Sequence, residues 1–429
     1  VGEEEKFETI IVGAGPAGIA CAYTLAKKGK SVLVIERGSN AGSKNVTGGR
    51  LYTYALEILE PGIWKEAALE RKVTHERTII LQGDNALNIE YYNPSFNRDD
   101  RMPVAYTILR GAFDEWFAAR AEEMGAIVAC GVKVDGLIQK DGKVVGVKCG
   151  EDDMLADIVV AADGVNSLIA QEAGIIPDIS AHSIGIGVKE VIELPAPVIE
   201  ERFNLKDGEG TACMLLGCTE GIHGGGFLYT NKESISLGCV FTPEEAAQNK
   251  KPIHKIFQNV KMLPAVNELI TGGQTVEYSA HLVSERGYRG IPESIFKNGL
   301  LLVGDAAGLV VNMGYSIRGM DLAILSGIAA ARAILNEDRI ELVGPVYYQE
   351  LEQLIMPTMK ALDGYTDLLA IPRIYANYPA FALDLCQQVY HITGEVPRKI
   401  KDEARAVLKN NNLSIWNLIK DGLRGYRSI

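Results

Sequence analysis

The sequence predicts an α/β fold with α+β inserts: a discontinuous parallel-sheet domain, a sheet-rich second domain threaded through it, and a helical C-terminal region. Three observations predict it. A short β-branched strand at residues 9–12 runs into Gly13, Gly15 and Gly18 in G-x-G-x-x-G spacing, then into a helix over residues 17–28. Two later runs, 158–162 and 300–304, are almost wholly apolar, as strands buried on both faces are. Between them, over about 175–287, the pattern turns strand-rich, and beyond about Asp338 it is mostly helical.

The first unit carries the most information. In a strand, turn and helix of this spacing, the first glycine makes the tight turn. The second lets backbone approach a pyrophosphate, and the third lets the helix pack on the strand. Phosphates sit at the helix N-terminus, where free N–H groups and the dipole favour negative charge. Gly13, Ala14, Gly15, Pro16 and Ala17 are therefore candidate contacts. A second strand over 31–35 ends in Glu36, 18 residues past Gly18, and Arg37 follows it. An acid there accepts hydrogen bonds from the ribose hydroxyls of an adenosine. Together these features predict an adenine-dinucleotide site. The loop Asn45, Val46, Thr47, Gly48, Gly49, Arg50 lies beyond the acid, and its paired glycines permit close approach to a flat ring.

Residues 78–81 and 87–91 alternate in part around a turn at Gly83, Asp84 and Asn85, which reads as two strands. Residues 110–124 read as a helix with Phe113, Trp116, Phe117 and Ala121 on one face. Arg110 at its start is placed to offset pyrophosphate charge bidentately. A strand over 127–130 and a strand pair over 132–139 and 144–149 follow, with a turn at Asp141 and Gly142. Val134 is a further candidate contact. The two buried strands end in glycine–acid steps, Asp163 with Gly164 and Gly304 with Asp305. A carboxylate at a strand–helix junction holds the hydroxyls of an extended polyol such as ribitol. The amides after it hold phosphate or a flavin's pyrimidine edge. With the first motif, these steps favour FAD over NAD. A second strand–G-x-G-x-x-G–helix unit for a nicotinamide cofactor is absent from the sequence; residues 221–226 are glycine-rich but precede a strand.

Strands are clearest at 184–188, 226–230 and 235–241, with one helix near 253–259. A long helix is expected from near Ser316, its positive end beside the N1/C2-carbonyl edge of the flavin. Asn312 and Gly314 would lie close to the ring, and Arg318 would pair with a carboxylate or face a partner. The domain reading assigns 1–73, 103–174 and 288–338 to FAD binding, 74–102 and 175–287 to a sheet-rich substrate or quinone domain, and 339–429 to a helical region for partner or membrane contact.

The 429 residues suit two or three domains, and 47% are hydrophobic, enough for a large core. Seven scattered cysteines form no C-x-x-C pair, which argues against a disulfide framework and against a metal or iron–sulfur site on this chain. A net charge of −12 without a basic run argues against nucleic acid as a partner. The acidic start lacks the apolar run of a secretory signal, and no apolar stretch reaches the roughly 18–20 uncharged residues of a membrane span. The expectation is a soluble protein, or one that lies on a membrane.

Several segments also resemble a known family. They are 44–52 (KNVTGGRLY), 225–231 (GGFLYTN), 278–283 (YSAHLV), 304–308 (GDAAG) and 317–321 (IRGMD). They resemble the electron-transfer flavoprotein:quinone oxidoreductases, in particular the FixC-type subunit, over essentially the whole chain. The wider fold resembles the glutathione-reductase-type superfamily with its Rossmann-like FAD/NAD(P)-binding domain. The resemblance implies one non-covalent FAD that takes electrons from the alpha and beta subunits of an electron-transfer flavoprotein. It implies a membrane quinone, menaquinone or ubiquinone, as acceptor, and a cytoplasmic protein peripheral to the membrane. Long family members carry a cysteine-rich ferredoxin module. Here the only late cysteine is Cys386, so the resemblance implies a separate small FixX-type iron–sulfur subunit. Assemblies of this type also take part in electron bifurcation.

In such a protein the flavin does the redox chemistry, and the chain supplies orientation, electrostatics and access. His281 is a candidate proton donor to a quinone oxygen, because imidazole titrates near neutrality. Residues 368–389, apolar and aromatic, read either as helix-packing core or as a docking or membrane surface. Competing readings are a geranylgeranyl-reductase-like flavoenzyme, an FAD-dependent monooxygenase and an FAD-stabilised scaffold.

Overall fold

The computed structural model describes residues 6–44, 49–97, 104–176, 184–249 and 251–428. The candidate contacts Asn45, Val46, Thr47 and Gly48 lie outside the described residues. The glycine motif starts the first sheet: β1 (Lys6–Val12) turns at Gly13 into α1 (Pro16–Ala26) and returns as β2 (Val32–Glu36). Next come β3 (Gly49–Tyr52), α2 (Tyr54–Leu59), β4 (Lys72–Gln82), β5 (Asn85–Tyr92), β6 (Ala105–Ile108) and α3 (Arg110–Glu123). They lead to β7 (Ile127–Cys130), β8 (Gly136–Lys140), β9 (Lys143–Cys149), β10 (Asp152–Ala161) and α4 (Leu168–Glu172). The strand-rich stretch holds β11 (Ile184–Glu193), α5 (Ala196–Phe203), β12 (Glu209–Leu216), β13 (Gly224–Thr230) and β14 (Ser234–Phe241). It continues with α6 (Pro243–Gln248), α7 (Ile253–Met262), α8 (Pro264–Ile270) and β15 (Gln274–Ser284). Short strands β16 (Phe296–Lys297), β17 (Leu300–Leu302), β18 (Val311–Asn312) and β19 (Ile317–Arg318) precede α9 (Met320–Asn336). The remainder is helical: α10 (Ile340–Leu354), α11 (Met356–Ala361), α12 (Gly364–Leu369), α13 (Asn377–Tyr390), α14 (Ile400–Asn410) and α15 (Ile415–Ser428).

Parallel strands in the order β17-β10-β1-β2-β7 form the centre of an eight-stranded sheet, and β16, β9 and β8 extend it with antiparallel pairs. Their register positions the site. Val12 pairs with Ala161 and Ile35, and Ala161 with Leu302, so four strands end at one level. Gly13, Glu36, Asp163 and Gly304 emerge there together. Behind them α9 packs on α1 so closely that a Cβ on Gly327 would lie 2.2 Å from the Ala17 carbonyl oxygen.

The second sheet has nine strands in the order β15-β11-β14-β13-β12-β4-β6-β3, with β5 on the side of β4. Alternation gives it two different faces. Val188, Leu237, Cys239, Leu228, Cys213 and Ile79 bury against Ile199, Phe203, Phe257 and Val266 of α5, α7 and α8. The opposite face, carrying Gly187, Lys189, Met214, Phe227, Val240 and His281, looks into a cavity.

Several elements differ from the sequence reading. The strand-rich stretch holds α5, α6, α7 and α8 rather than one helix. Each opens at a proline: Pro195 and Pro252 at the N-cap, Pro243 and Pro264 in the first turn. Proline fits there because its fixed φ suits a helix start and its missing N–H is not used. Residues 49–52 and 105–108, assigned to the FAD-binding segments, pair as β3 and β6 in the second sheet. The long helix begins at Met320, not near Ser316. Val311 pairs with Arg318 and Asn312 with Ile317, which holds the intervening chain in a hairpin whose turn uses Gly314 at φ +80. All seven cysteines are free thiols. Among the described residues, no His/Cys/Asp/Glu cluster is arranged for a metal, and no helix is long and apolar enough to cross a membrane.

Candidate functional site

The two sheets and α12 enclose a cavity of about 670 Å³, within the size range of small-molecule sites. Its first end is built by the strand ends of the first sheet. Gly13, Gly15, Pro16, Ala17, Glu36, Arg37, Val134, Asp163, Gly164, Gly304 and Asp305 line it. Gly49, Arg50 and Arg110 join from neighbouring elements, and Asn312 and Gly314 from the hairpin. Ala14 does not line the cavity; its N–H donates to Glu36 Oε2 at 3.0 Å, while Gly38 N–H holds Oε1 at 2.6 Å. The acid is thereby fixed at the rim.

The three motif glycines divide their work. A Cβ on Gly13 would lie 2.3 Å from the Ala162 oxygen, and one on Gly18 would lie 2.1 Å from the Gly13 oxygen. Those two serve the chain's own packing. A Cβ on Gly15 meets nothing within 4 Å, so Gly15 faces the open cavity. Helix α1 starts there with no acidic residue in its first turn, which leaves its positive end for an anion. Across the cavity, Asp163 Oδ2 accepts the Ile169 N–H at 3.0 Å, but its Oδ1 is buried without a partner. The Ser316 hydroxyl is buried and unpartnered on the same cavity. Burial pushes the Asp305 carboxyl up, and Arg110 offsets part of that. An open glycine, a free helix N-terminus and orphaned polar atoms in one cradle fit the phosphates and hydroxyls of a bound dinucleotide.

Two arginines are more committed than their sequence positions suggest. Arg110 donates from Nε and Nη2 to the two oxygens of buried Asp114, at 2.9 and 2.7 Å. One edge of the guanidinium is therefore held by a carboxylate one turn on, while Arg110 still lines the cavity. Arg50 donates from Nη1 to Glu76 Oε2 at 2.9 Å and from Nη2 to Oε1, with its guanidinium 4.8 Å from the Tyr52 ring centre. Arg318 takes the first of its two expected roles. It donates to Asp321 Oδ2 from Nη2 at 2.6 Å and from Nε at 3.1 Å, and Tyr54 joins both groups. The segment 317–321 is thus a clasp tying β19 to α9 and α2 beside the cavity.

The second end is formed by the glycine-rich face of the second sheet and covered by Tyr365, Leu368, Leu369, Ile374 and Tyr375. The front of the 368–389 segment therefore turns inward. Burial, and then Arg110, push the Lys189 amine down to about 7, and its nitrogen lies 5.6 Å from the Phe227 ring centre. His281 lines the cavity here. Burial and then Arg110, Lys189 and Arg37 push its imidazole down, so it is neutral at neutral pH. Tyr375 donates to the Leu369 carbonyl at 2.7 Å, which leaves its oxygen to accept from His223 Nε2 at 2.9 Å under a stacked ring. Sequence reading missed Lys189, His223, Glu285 and Tyr375. The glycines at 185 and 187, alternating with large residues on β11, were the available signal for a concave face.

The FAD binding domain family matches residues 6–324. Protein FixC of Salmonella typhi is 42% identical over 98% of this chain and 99% of its own length. The chain belongs to the FixC family of FAD-binding proteins. A probable electron transfer flavoprotein-quinone oxidoreductase of Escherichia coli (strain K12) is 39% identical over the same shares. The solved structure of a geranylgeranyl bacteriochlorophyll reductase-like protein from Thermoplasma acidophilum superposes with a TM-score of 0.71. It covers 95% of this chain and 99% of its own at 20% identity, a likeness of fold. As a FixC-family member the chain is a flavoprotein oxidoreductase, its cofactor is FAD, and its activity is FAD-dependent electron transfer. When bound, FAD supplies the electron chemistry.

Proposed function

We propose that this FixC-family chain relays electrons from an electron-transfer flavoprotein of alpha and beta subunits to a membrane quinone. In this reading it acts within an assembly that includes a small FixX-type iron–sulfur subunit. One observation carries the proposal: a single cavity joins the strand-end cradle to an apolar chamber. The cradle, with Gly13, Gly15, Pro16, Ala17, Glu36, Asp163, Gly304 and Asp305, holds FAD. The chamber, floored by Gly187, Met214 and Phe227 and covered by Leu368 and Tyr375, takes a flat apolar acceptor. The strand-end sheet forms the FAD domain and the nine-stranded sheet the acceptor domain. The names of the FixC and quinone-oxidoreductase relatives support both partners.

Peripheral membrane contact has its own support. Trp416, Ile419, Leu423 and Tyr426 are exposed at helical spacing on α15, with Lys420, Arg424 and Arg427 beside them. Residues 391–429 hold eight Lys/Arg against four Asp/Glu in a chain of net charge −12. That composition suits an interfacial helix on anionic lipid. Helix α15 packs on α12, which walls the chamber, and a Cβ on Gly425 would already lie 3.2 Å from Leu368. The test is anaerobic: protein with bound FAD is reduced by an electron-transfer flavoprotein and reoxidised by a short-chain menaquinone or ubiquinone analogue. Rapid bleaching by NADPH alone, with oxygen consumption, would instead indicate a monooxygenase.

A further inference from the structure

Glu285 directly follows β15 and lines the apolar end of the cavity. On β15, Ser279, His281 and Val283 pair with Lys189, Gly187 and Gly185 of β11, and Glu285 is the next residue on that cavity face. Its carboxyl lies over Gly185, where a Cβ would be 2.7 Å from Oε1; only glycine leaves that space. His281 and Glu285 are four strand positions apart, about 13 Å. His281 therefore sits towards Arg110, Arg37 and Lys189, while Glu285 sits beside Tyr375.

The groups around Glu285 supply no positive charge. Tyr375 is a neutral phenol pushed up by burial, and its hydroxyl is engaged with Leu369 and His223. Burial pushes the His223 imidazole down, so it too is neutral. Glu245 of α6, whose Oε2 accepts the His223 backbone N–H at 2.7 Å, is a second acid. Arg289 is engaged with Asp363 and Asp367, and Arg286 is exposed.

We propose that Glu285 is the proton donor to the acceptor reduced in this chamber; with a quinone as that acceptor, the assignment rests on the function proposed above. Burial without a cation pushes its carboxyl up to about 7, so near neutral pH it holds a proton it can give. Quinone reduction takes two electrons and two protons, and both C=O groups become C–OH. The electrons are those of the flavoprotein's electron transfer. One quinone oxygen takes the Glu285 proton, and water reaching the chamber edge beside exposed Arg286 restores it. The other oxygen takes its proton from water.

The experiment compares two acceptors on protein with bound FAD reduced by an electron-transfer flavoprotein: a quinone analogue, and ferricenium, which takes electrons without protons. Wild-type quinone turnover should decline above about pH 7, while ferricenium turnover should not. In Glu285→Gln, quinone turnover should fall at least tenfold and lose that decline, with ferricenium turnover and FAD content unchanged. Glu285→Asp should recover part of the loss. Quinone turnover kept within twofold, with the wild-type pH profile, overturns the assignment. So does a parallel loss with both acceptors, which means a structural role. A wild type that reduces ferricenium but no quinone overturns the proposed function instead, and the Glu285 assignment with it.

Discussion

Replacing Asp321 by alanine should unfold more than the local loop. Asp321 is 1% exposed, and its Oδ2 alone receives three donors: Arg318 Nη2 at 2.6 Å, Arg318 Nε at 3.1 Å and Tyr54 Oη at 2.9 Å. The Arg318 side chain is 16% exposed, with its guanidinium 5.2 Å from the Tyr52 ring centre. Removing the acid strands a largely buried cation and a phenol. Breaking a buried pair from one side costs about 3–5 kcal/mol. Residual solvent and the Tyr52 ring, worth about 0.5–1 kcal/mol, place Asp321→Ala near the lower end of that range. Arg318→Ala leaves the acid with only Tyr54, a similar loss, whereas Tyr54→Phe removes two hydrogen bonds, one to Asp321 and one from Arg318, about 2 kcal/mol together. The double variant should cost less than the two singles summed, by roughly 2 kcal/mol. Urea unfolding followed by circular dichroism, run as a double-mutant cycle, measures this. An Asp321→Ala loss under about 1 kcal/mol, or additivity within about 0.5 kcal/mol, would refute the clasp.

Gly15→Ala should leave apoprotein stability within about 0.5 kcal/mol, since nothing of the chain lies within 4 Å of the new methyl, yet weaken FAD binding. Gly18→Ala should instead destabilise the apoprotein by about 1–3 kcal/mol, because its methyl meets the Gly13 oxygen at 2.1 Å. Paired thermal melts and flavin titrations separate these outcomes. Glu285 also makes stability depend on pH. Its folded carboxyl titrates near 7 against about 4.3 unfolded. The folded state thus binds more protons between those values, and wild-type stability falls as pH rises through them. Glu285→Gln should therefore match wild type near pH 4 and exceed it by about 2–3 kcal/mol above pH 7.5, read by melts across that range. Trp416→Glu with Leu423→Glu should abolish flotation with anionic liposomes while leaving FAD content unchanged; undiminished flotation would exclude α15 as the contact.

The strand-end cradle was legible because each of its residues answers a local demand. Gly13 must turn, Gly18 must let a helix approach, and Glu36, Asp163 and Asp305 end strands that the apolar pattern marks by itself. The acceptor chamber was less legible because it depends on pairing across the sheet. Nothing local to Gly185 or Gly187 says that Glu285 or His281 lies over it; the antiparallel register of β11 and β15 does. The α5, α6, α7 and α8 starts were readable from Pro195, Pro243, Pro252 and Pro264, but short helices between strands offer little periodicity. The helix expected at Ser316 moved to Met320 because the hairpin pairing of Asn312 with Ile317 outweighed the apolar run. Arg110 shows the same limit. Its position suggested a bound anion, but not that Asp114, four residues on, would hold one edge of its guanidinium.

The most direct test of the central claim is anaerobic stopped-flow on the protein with bound FAD. An electron-transfer flavoprotein should bleach the bound flavin, and a quinone analogue should then restore its absorbance with two electrons delivered per quinone. Flavin that stays oxidised with the flavoprotein partner, or that is reduced and is then not reoxidised by any quinone, would contradict the account.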